Sequence, residues 1–361
     1  MTIQNHVVMS LHGIRTRGIW QKELVPHLAK AGFIPDPHDY GNFGALRLLR
    51  KASLDAQVES LLAHYDRVTT EQNCRRPSVI AHSFGTLQIA RLLAKHNHVN
   101  FDKVILAASI IPLDYPWNTL LTNSRVNWVV NDYGGKDRWP KIAARLVPGA
   151  GRSGSEPFIF SHRALDQVSH PDFGHSDYFS AGNFRRNWIP TLLLNKRKIV
   201  DDLNALIGML TPHLQVRRES LRCFVLAKES DEDRLNVVPG LHLGDISKQE
   251  VLFSVSLDAI GIEAAPAVAF KQMREVRQNR EDLVQLAESL GTASPLNKHL
   301  AWSMSMPIPN GADTRSAIGV LIIDGVQEYA AGALAKDLMS EQNVYEILSR
   351  LGLSLCKVYP R

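Results

Sequence analysis

The stretch that decides the fold of this chain is Val79-Ile80-Ala81-His82-Ser83-Phe84-Gly85-Thr86. Its apolar, partly β-branched start is typical of a buried strand, and apolar residues at helical spacing follow over 87–94. Strand, turn and helix are compressed around Ser83, and Ala81 and Gly85 are small enough to let the backbone pass close to itself. The motif predicts an activated serine at the apex of a strained turn. The plainer interpretation is an ordinary serine between a parallel strand and a helix.

The first 190 residues alternate between predicted strands and predicted helices. The strands are expected at 7–11, 33–39, 79–81, 103–107, 127–130 and 157–160, and the helices at 20–31, 53–68, 86–95, 140–146 and 181–194. This alternation predicts an α/β domain with a doubly wound, mainly parallel sheet. Ligands of such sheets bind at the carboxyl ends of the strands, which is where Ser83 and Gly13 fall.

The pattern changes after a helix predicted at 203–216. Strands are expected at 221–227, 235–238, 266–270, 303–307 and 318–323, and helices at 280–290 and 344–351. Strands outnumber helices here, which favours a smaller α+β domain. We therefore divide the chain into an α/β domain at 1–195, a helical linker at 196–217 and an α+β domain at 218–361.

Composition narrows the class of protein. The chain has 361 residues, 45% of them hydrophobic and 21% charged, with a modest net charge of +5. Three widely spaced cysteines predict a reducing compartment and neither disulfides nor a zinc site. No apolar run is long enough to span a bilayer, and there is no room for a signal peptide ahead of the first strand, so we expect a cytoplasmic protein. With the modest net charge, we expect no binding to nucleic acid.

A serine hydroxyl needs a neighbouring base to act as a nucleophile at neutral pH, normally an imidazole that a carboxylate holds in one tautomer. Two candidate carboxylates, Asp132 and Asp137, follow the apolar run at 127–130. Asp132 is closer to the predicted strand end. Farther along, His175 lies in a polar loop ahead of a helix.

These features together resemble an α/β-hydrolase of the esterase and lipase superfamily over the first 190 residues. Members carry the acid in a turn similar to Gly134-Gly135-Lys136-Asp137-Arg138-Trp139-Pro140, and their histidine often follows a glycine, as in Gly174-His175. The resemblance implies a triad of Ser83, Asp137 and His175, with Asp132 as the competing acid. His162 and His170 lack the preceding glycine, so we interpret them as surface or loop residues.

The same resemblance implies an oxyanion hole made of main-chain N–H groups. The turn His12-Gly13-Ile14-Arg15 would supply the amide of Ile14, or alternatively that of Arg15, and Phe84 would supply the second. His12 and His82 are expected to support the site. Only about twenty residues separate the strands predicted at 103–107 and 127–130, too few for a helical cap, so an open site is expected. The segment 112–117 would be a short flap or a plain packing loop.

The second half resembles a GAF-type ligand-binding module over roughly 215–355. The resemblance rests on Met304-Ser305-Met306-Pro307-Ile308-Pro309 and on Ile318-Gly319-Val320-Leu321-Ile322-Ile323-Asp324, which match the paired late strands of that family. The signature of its cyclic-nucleotide-binding members is missing, since Asn297-Lys298-His299 matches it poorly. A nucleotide ligand is therefore not expected.

The sequence thus predicts a serine hydrolase that cleaves carboxylic esters of small molecules or lipids through a Ser-His-Asp triad, without a metal or organic cofactor. The GAF-like module would bind a small regulator or form a homodimer. The alternative is a catalytically inactive hydrolase-fold protein that acts as a sensor or an interaction partner.

Overall fold

The computed structural model describes residues 5–13, 18–38, 51–228, 232–244, 253–289, 299–311, 313–330, 333 and 337–359. The chain divides into two compact units, Met1–Leu193 and Leu194–Arg361. Within the described ranges, the helices are too short or too polar to cross a lipid bilayer.

The first unit contains a six-stranded sheet in which neighbouring strands run parallel. Its strands are β1 (Val7–Leu11), β2 (Ile34–His38), β3 (Ser78–His82), β4 (Phe101–Ala107), β5 (Val126–Gly134) and β6 (Leu165–His170), in the order β2-β1-β3-β4-β5-β6. The register brings Leu11 beside Ala81. It also brings Ala107 beside His82 and beside Asp132, so the carboxyl ends of four strands meet at one edge.

Helices connect these strands and flank the sheet. They are α1 (Ile19–Lys30), α2 (Lys51–Glu71), α3 (Phe84–Lys95), α4 (Trp117–Thr122), α5 (Trp139–Leu146), α6 (Ala181–Asn183) and α7 (Ile189–Leu193), with a π-helical turn at Phe184–Trp188. Strands β1 and β3 are buried along their whole length, as the continuous apolar runs predict. Strand β2 carries Pro35 and Pro37 and lies at the edge of the sheet, the position that proline tolerates. The predicted parallel α/β architecture is confirmed.

The strand predicted at 157–160 is wrong. The main chain of Phe158 is hydrogen-bonded to the side-chain amide of Gln167 instead of to a neighbouring strand. Gln167 itself belongs to β6, whose sequence Leu-Asp-Gln-Val-Ser-His is too polar to predict a strand. The apolar run at 157–160 therefore forms no strand, whereas the polar run Leu165–His170 does. A polar sequence is tolerated there because an edge strand can keep its side chains partly in solvent.

The second unit is built on a six-stranded antiparallel sheet. Its strands are β7 (Leu221–Lys228), β8 (Arg234–Leu243), β9 (Ser254–Ser256), β10 (Val276–Gln278), β11 (Trp302–Asn310) and β12 (Asp313–Gly325), in the order β10-β11-β12-β7-β8-β9. Its helices are α8 (Lys196–Leu214), α9 (Ala265–Gln272), α10 (Arg280–Ser289) and α11 (Gln342–Leu355), with 3-10 turns at Arg218–Ser220, Gly261–Ala264 and Leu338–Ser340. The expected α+β domain is present.

Apolar side chains pack on both faces of this second sheet. Along β7, Cys223 and Val225 belong to one core cluster, whereas Phe224 and Leu226 belong to another. Helix α8, which covers most of the predicted linker at 196–217, contributes its buried residues to the first of these clusters. It is therefore part of the core of the second unit.

The strand predicted at 266–270 is also wrong, because these residues form helix α9. Small and larger residues alternate in Ala265-Pro266-Ala267-Val268-Ala269-Phe270, which imitates the period of a strand. Alanine, however, is the strongest helix former, and Pro266 stands in the first turn, where a missing N–H costs nothing.

Candidate active site

Ser83 lies at the turn between β3 and α3 with a backbone φ of +50° and ψ of −116°. For a non-glycine residue, a conformation of this kind costs about 1–3 kcal/mol, so contacts with the surrounding residues must stabilise it. The Ser83 N–H donates to the carbonyl of Ala107 (3.0 Å), and the Ser83 carbonyl accepts from both the N–H and the hydroxyl of Thr86 (3.0 and 2.6 Å). The serine therefore sits in the strained turn that the sequence predicts.

Two glycines leave room for this turn. A Cβ added at Gly85 would lie 2.9 Å from the carbonyl oxygen of Leu11, and one added at Gly13 would lie 2.9 Å from the Cβ of Ser83. The strand-to-helix turn thus packs directly against the end of β1, which agrees with the small residues noted in the sequence.

Three predicted side chains meet at the carboxyl edge of the sheet. The Nε2 atom of His175 lies 3.0 Å from the Oγ of Ser83. Its Nδ1 atom lies 2.9 and 3.2 Å from the two carboxylate oxygens of Asp137. These residues follow the ends of β3, β5 and β6, and the hydrogen bonds join positions 92 and 38 residues apart in the chain.

The hydrogen bonds define the tautomer that suits general-base chemistry. The Asp137 carboxylate is buried, and it also accepts a hydrogen bond from the N–H of Trp139 (3.0 Å). An ionised carboxylate can only accept hydrogen bonds, so the Nδ1 atom of His175 carries the proton. Nε2 then presents its lone pair to the hydroxyl of Ser83, ready to take the proton from it.

Backbone contacts join the turn that carries the acid to the loop that carries the histidine. Gly135 donates to the carbonyl of His170 (2.9 Å), and Lys136 donates to the carbonyl of Phe173 (3.1 Å). A Cβ at Gly134 would lie 2.4 Å from that same Phe173 oxygen, so only glycine permits this approach. The distance between acid and base is therefore set by main-chain packing.

The competing acid has other partners. Asp132 is buried, accepts a hydrogen bond from the indole N–H of Trp188 (2.7 Å) and lies 3.3 Å from the Nε2 of His170. His162 accepts from the N–H of Ala164 (3.1 Å) within its own loop. The structure thus brings Asp137, and not Asp132, to His175.

His82 has a contact that the sequence could not reveal. Its Nε2–H donates to the backbone carbonyl of His175 (2.9 Å), and the two imidazole rings are 4.7 Å apart. Burial lowers the pKa of His82 to about 3, so this ring is neutral near pH 7. The residue before the serine therefore holds the main chain of the histidine loop in place.

The expected oxyanion donors are only partly described. Ile14, with its alternative Arg15, lies outside the described residues. Phe84 is the first residue of α3, directly after Ser83, so its amide lies at the positive end of the helix dipole. In the described ranges, histidine, cysteine and carboxylate side chains form no group of three that could hold a metal ion.

The aromatic residues of segment 112–117 are packed into the unit. Trp117 is fully buried at the start of α4, and the hydroxyl of Tyr115 donates to the carbonyl of Ala90 (2.8 Å). Both observations favour the packing loop over the flap.

The first unit has the parallel sheet with flanking helices that the sequence predicts. No protein-family model and no curated protein matches the sequence. Among solved structures, the first unit is similar to a CIB-like hydrolase from Thermoplasma acidophilum (16% identity, 53% of this chain and 88% of that chain, TM-score 0.36) and to an esterase from Pyrococcus furiosus (15% identity, 52% and 81%, TM-score 0.36). The chain also matches the GAF domain region of a protein from Geobacter sulfurreducens (13% identity, 45% and 95%, TM-score 0.26).

Proposed function

We propose that this protein is a serine hydrolase that cleaves carboxylic esters, with Ser83 as nucleophile, His175 as general base and acid, and Asp137 as the orienting carboxylate. The observation that supports this most directly is the unbroken hydrogen-bond chain from the Ser83 hydroxyl through both nitrogens of His175 to Asp137. The strained backbone of Ser83 adds support, since strain of this kind is common at functional sites.

In the proposed reaction, Nε2 of His175 takes the hydroxyl proton while Ser83 Oγ bonds to the carbonyl carbon of the ester. The tetrahedral intermediate then collapses, the acyl–alcohol bond breaks, and the imidazolium returns the proton to the leaving alkoxide oxygen. Water repeats the sequence on the acyl-serine and releases the acid. Asp137 stabilises the imidazolium and keeps the ring oriented throughout.

The oxyanion is assigned to the amides of Phe84 and Ile14. Removal of one donor of this type typically lowers turnover by about 10²–10³-fold, so these two amides would contribute a substantial share of the catalysis. The neutral imidazole of His82 helps to hold His175 in position by its hydrogen bond to the His175 carbonyl.

For the second unit we propose a GAF-like module that binds a small regulator or forms a homodimer. The two segments that carry the resemblance are antiparallel neighbours in the sheet, with Met306 opposite Leu321. Deletion of the second unit should change the kinetics or the oligomeric size, and identical values for both would count against this role.

A fluorophosphonate probe tests the catalytic proposal, because it reacts preferentially with serines that a neighbouring base activates. Labelling of the intact protein is expected, and Ser83→Ala should abolish it. Ser176→Ala removes an exposed serine next to the base and should leave labelling intact. A folded protein that resists the probe and hydrolyses no ester would favour the inactive sensor or interaction protein.

A further inference from the structure

Helix α5, directly after the catalytic turn, has an inner apolar side. Ala143, in the middle of the helix, and Val147, just beyond its end, pack against a buried cluster that includes Phe84 and Leu87. This side accounts for the attachment of the helix to the unit.

The same helix also exposes large apolar side chains. Trp139, Ile142 and Leu146 are 58%, 40% and 61% exposed. Their spacing of three and four residues places them along one stripe of the helix. Single exposed apolar residues need no explanation, but a continuous stripe on an eight-residue helix is characteristic of an interaction site.

Cationic residues border this stripe. At about 100° per residue, Arg138 and Arg145 fall next to Ile142 on the side away from the buried face. Both arginines are exposed, and no carboxylate among the described residues forms an ion pair with either of them. Lys141, farther round, lies 3.6 Å from Glu156.

The stripe begins at the rim of the proposed catalytic site. The N–H of Trp139 donates to the carboxylate of Asp137, and its ring centre lies 6.2 Å from that of His175. Molecules of any surface that covered the stripe would therefore lie close to His175 and the proposed catalytic site.

We propose that helix α5 docks the first unit onto an anionic phospholipid surface, from which the site takes lipid esters. This inference rests on the proposed function for its substrate but not for its binding step. An apolar stripe inserts at the boundary between headgroups and acyl chains, while flanking arginines meet anionic headgroups. A second copy of the chain fits less well, because α5 carries no carboxylate that could pair with Arg138 and Arg145 across a two-fold contact of two such helices.

Vesicle co-sedimentation of the Ser83→Ala protein tests the binding step without turnover. We expect binding to vesicles of phosphatidylglycerol and phosphatidylcholine and at least ~10-fold weaker binding to phosphatidylcholine alone, since each arginine near an anionic surface is worth roughly fivefold. Ile142→Ser with Leu146→Ser should weaken binding by ~10-fold or more, because the apolar area that drives insertion is lost.

The matched control is Ile260→Ser with Leu353→Ser, which removes the same residue types from exposed positions of the second unit (89% and 57% exposed). It should bind as the parent does. Equal vesicle binding by the Ile142/Leu146 variant and the parent would overturn the proposal. So would a concentration-dependent dimer that this variant abolishes in sedimentation velocity, since the stripe would then bind a second copy.

Activity separates failure of this inference from failure of the proposed function. With Ser83 intact, the ratio of long-chain ester hydrolysis in anionic vesicles to hydrolysis of a soluble short-chain ester should fall ~10-fold in the Ile142/Leu146 variant, in line with its loss of vesicle binding. If the wild-type protein hydrolyses soluble esters but binds no vesicle, only the docking proposal fails. If it binds vesicles but hydrolyses neither ester, only the catalytic proposal fails.

Discussion

Two carboxylates lie at the end of β5, Asp132 within the strand and Asp137 three residues beyond it, and they have different partners. Asp137 is hydrogen-bonded to His175, which in turn is hydrogen-bonded to Ser83. Asp132 accepts a hydrogen bond from Trp188 and lies near His170. Both are buried, so burial does not separate them. What separates them is the direction in which the chain leaves the strand, since the glycine turn carries Asp137 out to the edge where the histidine loop arrives.

The acid assignment predicts unequal losses of activity. Asp137→Asn should lower kcat for a short-chain ester by roughly 10⁴-fold, because the amide no longer selects the tautomer in which Nε2 accepts a proton. Asp132→Asn should lower it by less than ~10-fold, since an amide can still accept from an indole N–H. Steady-state kinetics on both variants, with circular dichroism to verify folding, checks this, and the reverse order would reassign the acid.

Buried histidines predict a pH-dependent stability. Burial lowers the pKa of His82 to about 3 and that of His38 to about 4, whereas both titrate near 6.5 in the unfolded chain. Between the folded and unfolded pKa values, the unfolded state therefore binds more protons than the folded state. As the pH drops from 6.5 towards 4, each of the two histidines should lower the free energy of unfolding by about 1.4 kcal/mol per pH unit.

Urea unfolding at several pH values measures this slope. Above about pH 7.5 these two residues should contribute no dependence, because they are neutral in both states. His82→Phe should reduce the slope by about 1.4 kcal/mol per pH unit. An unchanged slope in His82→Phe would show that His82 is protonated in the folded protein.

At the scale of elements, the strand-to-helix turn depends on how closely α3 approaches the end of β1. Gly85 is in the first turn of α3, and the nearest atoms to a Cβ there are the backbone oxygens of Leu11 and His12 and the Cβ of Leu11. Backbone atoms cannot move aside as the end of a flexible side chain can. The separation of α3 from β1, and with it the position of Ser83, is therefore sensitive to one methyl group.

Gly85→Ala should destabilise the protein by about 1–3 kcal/mol through overpacking and should also lower kcat. Gly182→Ala is the matched control, because its Cβ would meet only the hydroxyl of Ser180 at 3.9 Å within a helix. Alanine is the better helix former, so this control should leave the midpoint of thermal unfolding unchanged or raise it. Equal midpoints for the two variants would contradict the close packing at the turn.

At the scale of the whole molecule, the boundary between the units decides where the chain can be cut. Helix α8 follows Leu193 and buries Leu203, Leu206 and Leu210 in the core of the second unit. A fragment that ends after α8 would keep these side chains but lose the strands that cover them. The predicted linker is thus a structural element of one unit.

We predict that a fragment of residues 1–193 unfolds cooperatively and stays monomeric, whereas a fragment of residues 1–215 self-associates. The physical reason is the apolar face of α8, left uncovered in the longer fragment. Thermal unfolding and light scattering on both fragments test this. Cooperative unfolding of the longer fragment alone would assign α8 to the first unit.

The sequence by itself determined the parallel sheet, the strained serine turn and the chain order of serine, acid and histidine. These features are local, because continuous apolar runs and small residues beside Ser83 specify strand, turn and helix within a few residues. The family resemblance of the turn around Asp137 implied that acid, and the tertiary structure shows that Asp137 contacts His175 whereas Asp132 contacts Trp188. Only the tertiary structure decided that the polar segment Leu165–His170 forms a strand and that His82 contacts the histidine loop. These contacts join residues that are distant in the chain, so the packing of the folded backbone sets them, and no local pattern encodes it.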